Sequence, residues 1–325
     1  MNDRNIIIFG SGAWGTALAI TISHNVKTVY LYSRHRQIVQ EINEQHTNKN
    51  KLRNINLPVN IIGINCFQKI NNIDIAIIAV PVKSIRKLLE HNSKRLTIKN
   101  FVICSKGIEN KNLKFPSQIC EEFFPNSNIA VLSGPNFAQE VAEKKITKTL
   151  IASKNINLLK NLQSIFDTNF FQTGISSDVR GIEICGATKN VIAIVLGISK
   201  GLKLGANFAA TLFITSLMEI NKLVKSFGGD TSTIYSVAGL GDLLLTSYSL
   251  KSRNTNFGFR FAKDKKILDL NQNIVEGYYT AQSIYQISKL LSVDLPIFQY
   301  IYNTLYLQSD VNKIVQLIKH ESTLT

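Results

Sequence analysis

The chain has 325 residues, 45% of them hydrophobic, enough to fill a core in each of two domains. Its formal net charge of +15 raises the question of a nucleic-acid or anionic-membrane partner, but the basic residues are scattered, with no run of five or six and no stripe interleaved with aromatics, which argues against a dedicated nucleic-acid face. A chain-wide drift toward Lys, Asn and Ile accounts for the charge more simply, while a positive field still concentrates phosphorylated small molecules without identifying them.

In chain order, the apolar run at 6–9 predicts a first strand and leaves no room before it for a secretory leader. Further strands are expected at 28–32, 75–80, 101–105 and 129–132, most of them apolar without alternation, as in strands buried on both faces. Their alternation with helix-length segments predicts a parallel sheet with helices on both sides. A strand pair at 149–152 and 170–174, bracketing a helix at 156–166, closes this domain at residue 177. Beyond Asp178 the β-rich runs nearly vanish, and apolar residues at helical spacing predict helices at 178–202, 207–227, 278–291, 296–307 and 310–320. The expected fold is α/β: a dinucleotide-binding domain over 1–177, then a mostly α-helical domain over 178–325, packed closely enough to share a ligand cleft. The apolar runs at 191–198 and 208–217 fall short of the ~20 residues a bilayer span needs, so a soluble cytoplasmic protein without membrane insertion is expected. Cys66, Cys104, Cys120 and Cys185 form no CxxC pair and no cluster with histidines, so reduced buried thiols are expected and no metal is implied.

Chemistry concentrates in a few segments. Gly10-Ser11-Gly12-Ala13-Trp14-Gly15 follows a strand and opens a helix-compatible run; Gly10 suits the tight turn, Gly12 a close approach to pyrophosphate, and Gly15 helix-on-strand packing. The second strand ends without the acid that usually receives the ribose hydroxyl of NAD; Arg34 stands there instead and suits a 2′-phosphate, which favours NADPH over NADH, although Arg34 and Arg36 also read as a solvated helix start. Trp14 is placed either to cover a cofactor or simply to pack. Lys106-Gly107 follows a central strand, at the sheet edge where such folds bind ligands, or is merely solvated. Ser133 to Ala138 turns from a strand into a helix expected to begin near Asn136. Lys189, set before the apolar 191–195, would have its pKa lowered by burial and so is a candidate acid/base, the alternative being a lysine snorkelling at a helix surface. Ala238-Gly-Leu-Gly-Asp242 is a glycine turn ending in an acid, and Ser252-Arg253-Asn254 offers hydroxyl, guanidinium and amide donors suited to a phosphate; each reads equally as a capped loop.

In this order the segments resemble the bacterial-type NAD(P)-dependent glycerol-3-phosphate dehydrogenase family over nearly the whole chain. The family's G-[SA]-G-x-[WY]-G-T-A-L-A matches 10–19, its K-G Lys106-Gly107, its S-G-P-[ST]-F-A 133–138, and its G-A-x-K-N-V-I-A-I 186–194. G-A-N, A-G-L-G-D-L, S-R-N and V-E-G-Y match 205–207, 238–243, 252–254 and 275–278. The resemblance implies a Rossmann-like N-terminal domain, reversible reduction of dihydroxyacetone phosphate to sn-glycerol 3-phosphate for phospholipid synthesis, and NADP or NAD as cofactor; it leaves room for a homodimer. It further implies that Lys189 exchanges the proton with the substrate oxygen while Lys106 and Asp242 flank the reacting carbon. Gly134 and Asn136 would line the substrate, Ser252, Arg253 and Asn254 would hold its phosphate, and Lys106, Arg253, Trp14, Arg34, Ala138, Ile274 and Glu276 would join the glycine turn at the cofactor.

Three positions depart from the family pattern. Asn136 replaces a Ser or Thr, Lys200 stands where an acid is more usual, and the arginine expected after Ile214-Thr215 is missing. Two other readings compete. A 6-phosphogluconate-like or ketopantoate-like reductase shares the domain plan, and a nucleic-acid or membrane-surface protein would exploit the charge; steep salt dependence would mark the latter.

Overall fold

A computed structural model describes residues 4–67, 70, 72–264 and 275–319. The chain divides into two compact units, one comprising Met1–Ser105 and Pro116–Val179, the other Lys106–Phe115 and Arg180–Thr325. The division departs from two contiguous stretches meeting at 177/178: ten residues that follow a strand of the first unit belong to the second.

The first unit is built on one sheet. Its strands are β1 (Ile6–Phe9), β2 (Val29–Tyr32), β3 (Ile61–Ile64), β4 (Asn72–Ile78), β5 (Thr97–Ile103), β6 (Asn128–Ser133), β7 (Thr147–Ala152) and β8 (Phe171–Ser176), in the order β3-β2-β1-β4-β5-β6-β7-β8. The first six have the strand order of a doubly wound dinucleotide-binding sheet. Every pairing is parallel except β6 with β7, which the sequence pattern does not reveal because direction leaves no mark on a short apolar run. Ile6, Ile7, Ile8 and Phe9 are all buried, as a strand covered on both faces requires. The helices of this unit are α1 (Ala13–Ser23), α2 (Arg36–Gln40), α3 (Val82–Asn92), α4 (Pro116–Phe123), α5 (Ala138–Ala142) and α6 (Ile156–Phe166). α6 falls where its periodicity places it, started by the Asn155 side chain accepting from the Leu158 N–H. β3 escapes the sequence reading because its four residues include Gly63, yet it extends the ladder through Val29 opposite Ile61 and Tyr32 opposite Ile64.

The second unit is helical: α7 (Val179–Gly201), α8 (Ala206–Ser226), α9 (Asp242–Tyr248), α10 (Arg253–Phe261), α11 (Glu276–Leu290), α12 (Pro296–Tyr306) and α13 (Gln316–Lys319). The single helix expected at 310–320 is a 3₁₀ segment, Val311–Val315, followed by α13. α9 and α10 occupy stretches that read as a turn and a loop from sequence alone. α7 is the central element. It has the length and apolarity to cross a membrane, but it is buried inside the unit, a core helix longer than its apolar runs suggest. Its charged members Arg180 and Glu183 pair with each other at 3.1 Å. α10 crosses α7 backbone against backbone: a Cβ at Gly258 would lie 2.0 Å from the Ile194 carbonyl oxygen. One turn earlier on each helix, the same crossing brings Asn254 to Asn190.

Candidate active site

The glycine turn of the first unit has the shape its sequence implies. Gly10 adopts φ +119°, and a Cβ there would meet the Ala79 carbonyl oxygen at 2.7 Å; one at Gly15 would overlap the Gly10 carbonyl. Gly12 instead has open space around it and begins α1 without any side-chain cap, so the first-turn N–H groups face outward. An uncapped eleven-residue helix beside that space fits a dinucleotide pyrophosphate. Ser11 is buried, and its carbonyl accepts from Asn48 Nδ2 at 3.0 Å, the same amide also donating to Thr16 Oγ1 at 2.9 Å. Ala13 and Trp14 are half-buried against the sheet core. Arg34 is exposed two residues past β2, its Nε donating to His35 Nε2 at 3.2 Å, so its guanidinium is accessible to an anion.

Gly134 is buried, and Asn136 half-buried, after β6, but the helix expected near Asn136 begins at Ala138 and runs only five residues. Phe137, with ψ 123°, is still extended where it precedes that helix.

In the helical unit three charged side chains converge. Asp242, 1% exposed, receives Lys189 Nζ on Oδ1 and Lys106 Nζ on Oδ2, each at 2.6 Å. Lys189 also donates to Thr246 Oγ1 at 2.9 Å, and the Thr246 hydroxyl donates in turn to the Asp242 carbonyl at 2.7 Å. The threonine proton is thereby committed, and the lysine must be the donor between them. An ammonium carries three hydrogens; these two bonds leave one for a ligand oxygen. Burial pushes the Lys189 pKa from 10.5 down to about 8, with the Asp242 carboxylate opposing and the Lys106 charge reinforcing the fall. Two ammonium groups around one carboxylate leave the cluster net positive, suited to an anionic substrate and to negative charge developing on its oxygen. The position of Asp242 comes from the glycine-rich segment before it, a single π-helical turn at Val237–Gly241 capped by Ser236, which delivers the acid at the start of α9.

Beside this cluster runs a chain of amides whose orientation a single backbone group decides. The Gly277 N–H needs an acceptor and finds Asn254 Oδ1 at 3.0 Å. Asn254 Nδ2 therefore faces Asn190 Oδ1, at 2.9 Å, which turns Asn190 Nδ2 toward the Lys106 carbonyl at 3.4 Å. Ser252 caps α10, accepting from the Thr255 N–H at 3.3 Å, and Arg253 is exposed at the first position of that helix. Glu276 opens α11; Ile274 lies outside the described residues.

Two family models match the chain, the NAD-dependent glycerol-3-phosphate dehydrogenase N-terminus over residues 5–159 and its C-terminus over 178–316. A glycerol-3-phosphate dehydrogenase [NAD(P)+] from Staphylococcus aureus is 35% identical over 320 residues, 96% of each chain. The chain belongs to the glycerol-3-phosphate dehydrogenase family. A crystal structure of glycerol-3-phosphate dehydrogenase from Coxiella burnetii superposes with a TM-score of 0.90 at 28% identity, covering 98% of this chain and 99% of that one. The Plasmodium falciparum glycerol-3-phosphate dehydrogenase shares the fold, with a TM-score of 0.91 at 23% identity over 99% and 97% of the two chains.

Glycerol-3-phosphate dehydrogenases are oxidoreductases of a CH–OH group that use NAD(P), interconverting dihydroxyacetone phosphate and glycerol 3-phosphate. Against that chemistry, the structure brings together Lys106, Lys189 and Asp242, and it commits the Asn254 amide to Asn190 and Gly277. Sequence reasoning missed Thr246, Asn190 and Asn48. Asn190 stands next to Lys189 within the matched motif and could have been singled out. Thr246, one helical turn after Asp242, becomes a candidate only once α9 is recognised as a helix. Asn48 sits in a Lys- and Asn-rich stretch that reads as compositional drift, and nothing local marks it.

Proposed function

We propose that this glycerol-3-phosphate dehydrogenase reduces dihydroxyacetone phosphate to sn-glycerol 3-phosphate, with NADPH preferred over NADH, and so supplies glycerol 3-phosphate for phospholipid synthesis. The observation that carries the reading is the buried Lys189 ammonium, held by Asp242 and Thr246 with its pKa lowered to about 8.

Lys189 gives its remaining hydrogen to the C2 oxygen of the ketone and transfers a proton to it as negative charge grows there, an interaction stronger in the transition state than in the ground state. The nicotinamide, when bound, supplies the hydride. Lys106 adds a second positive charge near the same oxygen, and Asp242 keeps both lysines in place without removing the net charge. Arg253 offers an exposed guanidinium, and Ser252 a hydroxyl whose hydrogen is not used in capping, to the substrate phosphate; Asn254 orders the same helix start, while Gly134 and Asn136 line the substrate. We assign the pyrophosphate to the turn from Gly10 through Ser11, Gly12, Ala13 and Trp14 to Gly15, the 2′-phosphate to Arg34, and further cofactor contacts to Ala138 in the first unit and to Lys106, Arg253 and Glu276 in the second; Ile274, also implied by the family resemblance, lies outside the described residues.

The test is a spectrophotometric assay of NADPH and NADH oxidation with dihydroxyacetone phosphate, ketopantoate or 6-phospho-3-ketogluconate as oxidant. Oxidation with dihydroxyacetone phosphate, faster with NADPH, is expected. A folded protein that oxidises neither cofactor with the triose phosphate but works on another ketone would overturn the substrate assignment.

A further inference from the structure

The segment Lys106–Phe115 follows β5 yet belongs to the helical unit. Three of its residues meet that unit: the Lys106 carbonyl accepts from Asn190 Nδ2 at 3.4 Å, the Ile108 carbonyl from the Ser283 hydroxyl at 3.4 Å, and Asn110 Nδ2 donates to the Tyr279 carbonyl at 3.1 Å and Gln282 Oε1 at 2.8 Å. Ile108 and Phe115 are buried in the helical core, and the Arg180 guanidinium covers the Phe115 ring at 4.6 Å. Between them the chain doubles back, the Glu109 N–H donating to the Lys114 carbonyl at 2.9 Å. Residues 106–115 thus form a strap whose outer part is fixed by groups remote from the reacting cluster and whose first residue carries an ammonium into it.

We propose that this strap is what holds the Lys106 ammonium against Asp242, and that Asn110, seated on Gln282 and the Tyr279 carbonyl of α11, is its positioning residue for the reduction. The inference rests on the reading of Lys106 and Lys189 as members of the site. A lysine side chain is long and entropically costly to fix, and Lys106 is followed by Gly107, which adds no stiffness of its own, so the order must come from the docked residues beyond it. Both hydrogens of the Asn110 amide nitrogen are given to α11, one of them to a backbone carbonyl that cannot turn away. The charged groups facing Lys189 are Asp242 from α9 and Lys106 from the strap. Releasing the strap withdraws the like charge and leaves the carboxylate, so Lys189 would hold its proton to higher pH.

The experiment compares the native full-length chain with Asn110→Ala, Gln282→Ala, Lys106→Ala and the Asn110→Ala/Lys106→Ala pair, following dihydroxyacetone phosphate reduction across neutral and alkaline pH. Asn110→Ala should lower kcat/KM about tenfold, in keeping with the loss of two ordinary hydrogen bonds, and move the alkaline limb of the pH profile upward. Gln282→Ala should do the same to a smaller degree, and it carries the comparison if Asn110→Ala does not fold. Lys106→Ala should cost more, and adding Asn110→Ala to it should change nothing further. If Asn110→Ala and Gln282→Ala lose only thermal stability, with native kcat/KM and an unmoved limb, the strap does not position the lysine. Multiplying effects in the double variant overturn the proposal equally. A Lys106→Ala variant of native activity would instead sink the reading of Lys106 itself, and the strap's role with it.

Discussion

Lys189 is a charged amine inside an apolar helix, and its environment divides its two protonation states more evenly than water does. With burial pulling its pKa down to about 8 against the hold of Asp242, the group is mostly charged at neutral pH but close to release. Ketone reduction needs the protonated form and alcohol oxidation the neutral one. Reduction of dihydroxyacetone phosphate should therefore lose kcat/KM as pH rises through about 8, while oxidation of glycerol 3-phosphate gains over the same interval. Initial rates in both directions across this range check it; parallel profiles in the two directions would mean that a different group exchanges the proton. Thr246 sharpens the arrangement, because its hydroxyl proton is spent on the Asp242 carbonyl and it can only accept from the lysine.

Among the elements, α8 and α12 are joined by a buried carboxyl. Glu219, 3% exposed on α8, accepts from the Ile297 N–H at 2.7 Å and the Phe298 N–H at 3.3 Å, capping α12 from outside its own sequence. Burial outweighs those bonds and the nearby Lys222, and raises its pKa from 4.5 to about 8. The folded protein then keeps a proton that the unfolded chain has released, so this group's contribution to stability is complete below about pH 4.5 and declines as pH rises toward 8. Glu219→Gln retains an acceptor for the two N–H groups and cannot ionise. Thermal unfolding followed at several pH values should show the native chain losing more stability than the variant between about pH 5 and pH 8; equal slopes would mean that the carboxyl does not hold its proton in the fold.

At the scale of the whole molecule, legibility followed sequence distance. The glycine turn could be read because strand, turn and helix lie within twenty residues and each glycine has a local steric reason. The central helix α7 was legible from its periodicity and Lys189 stood out within it, but its partners lie 53 and 57 positions away, in a helix that looked like a turn. The position of Lys106 after β5 is legible from the strand before it, but the membership of its segment in the helical unit is not, since contacts such as that of Asn110 with Tyr279 span 169 positions. Ser252-Arg253-Asn254 reads equally as three donors for one ligand and as a capped loop; the cap at Ser252 is the local part of that reading, whereas the tie from Asn254 to Asn190, 64 positions away, is a contact that composition cannot express. The antiparallel step between β6 and β7 was likewise invisible, since pairing direction is decided by the chain's return path.

The claim on which these readings converge is that the amine of Lys189 delivers the proton. Its most direct test is turnover of dihydroxyacetone phosphate by Lys189→Ala under saturating NADPH, with NADPH binding measured in parallel by nucleotide fluorescence. Loss of a positioned acid should lower kcat about 10²- to 10⁴-fold while cofactor affinity stays near native. A variant that binds NADPH normally and keeps a substantial share of native turnover would contradict it.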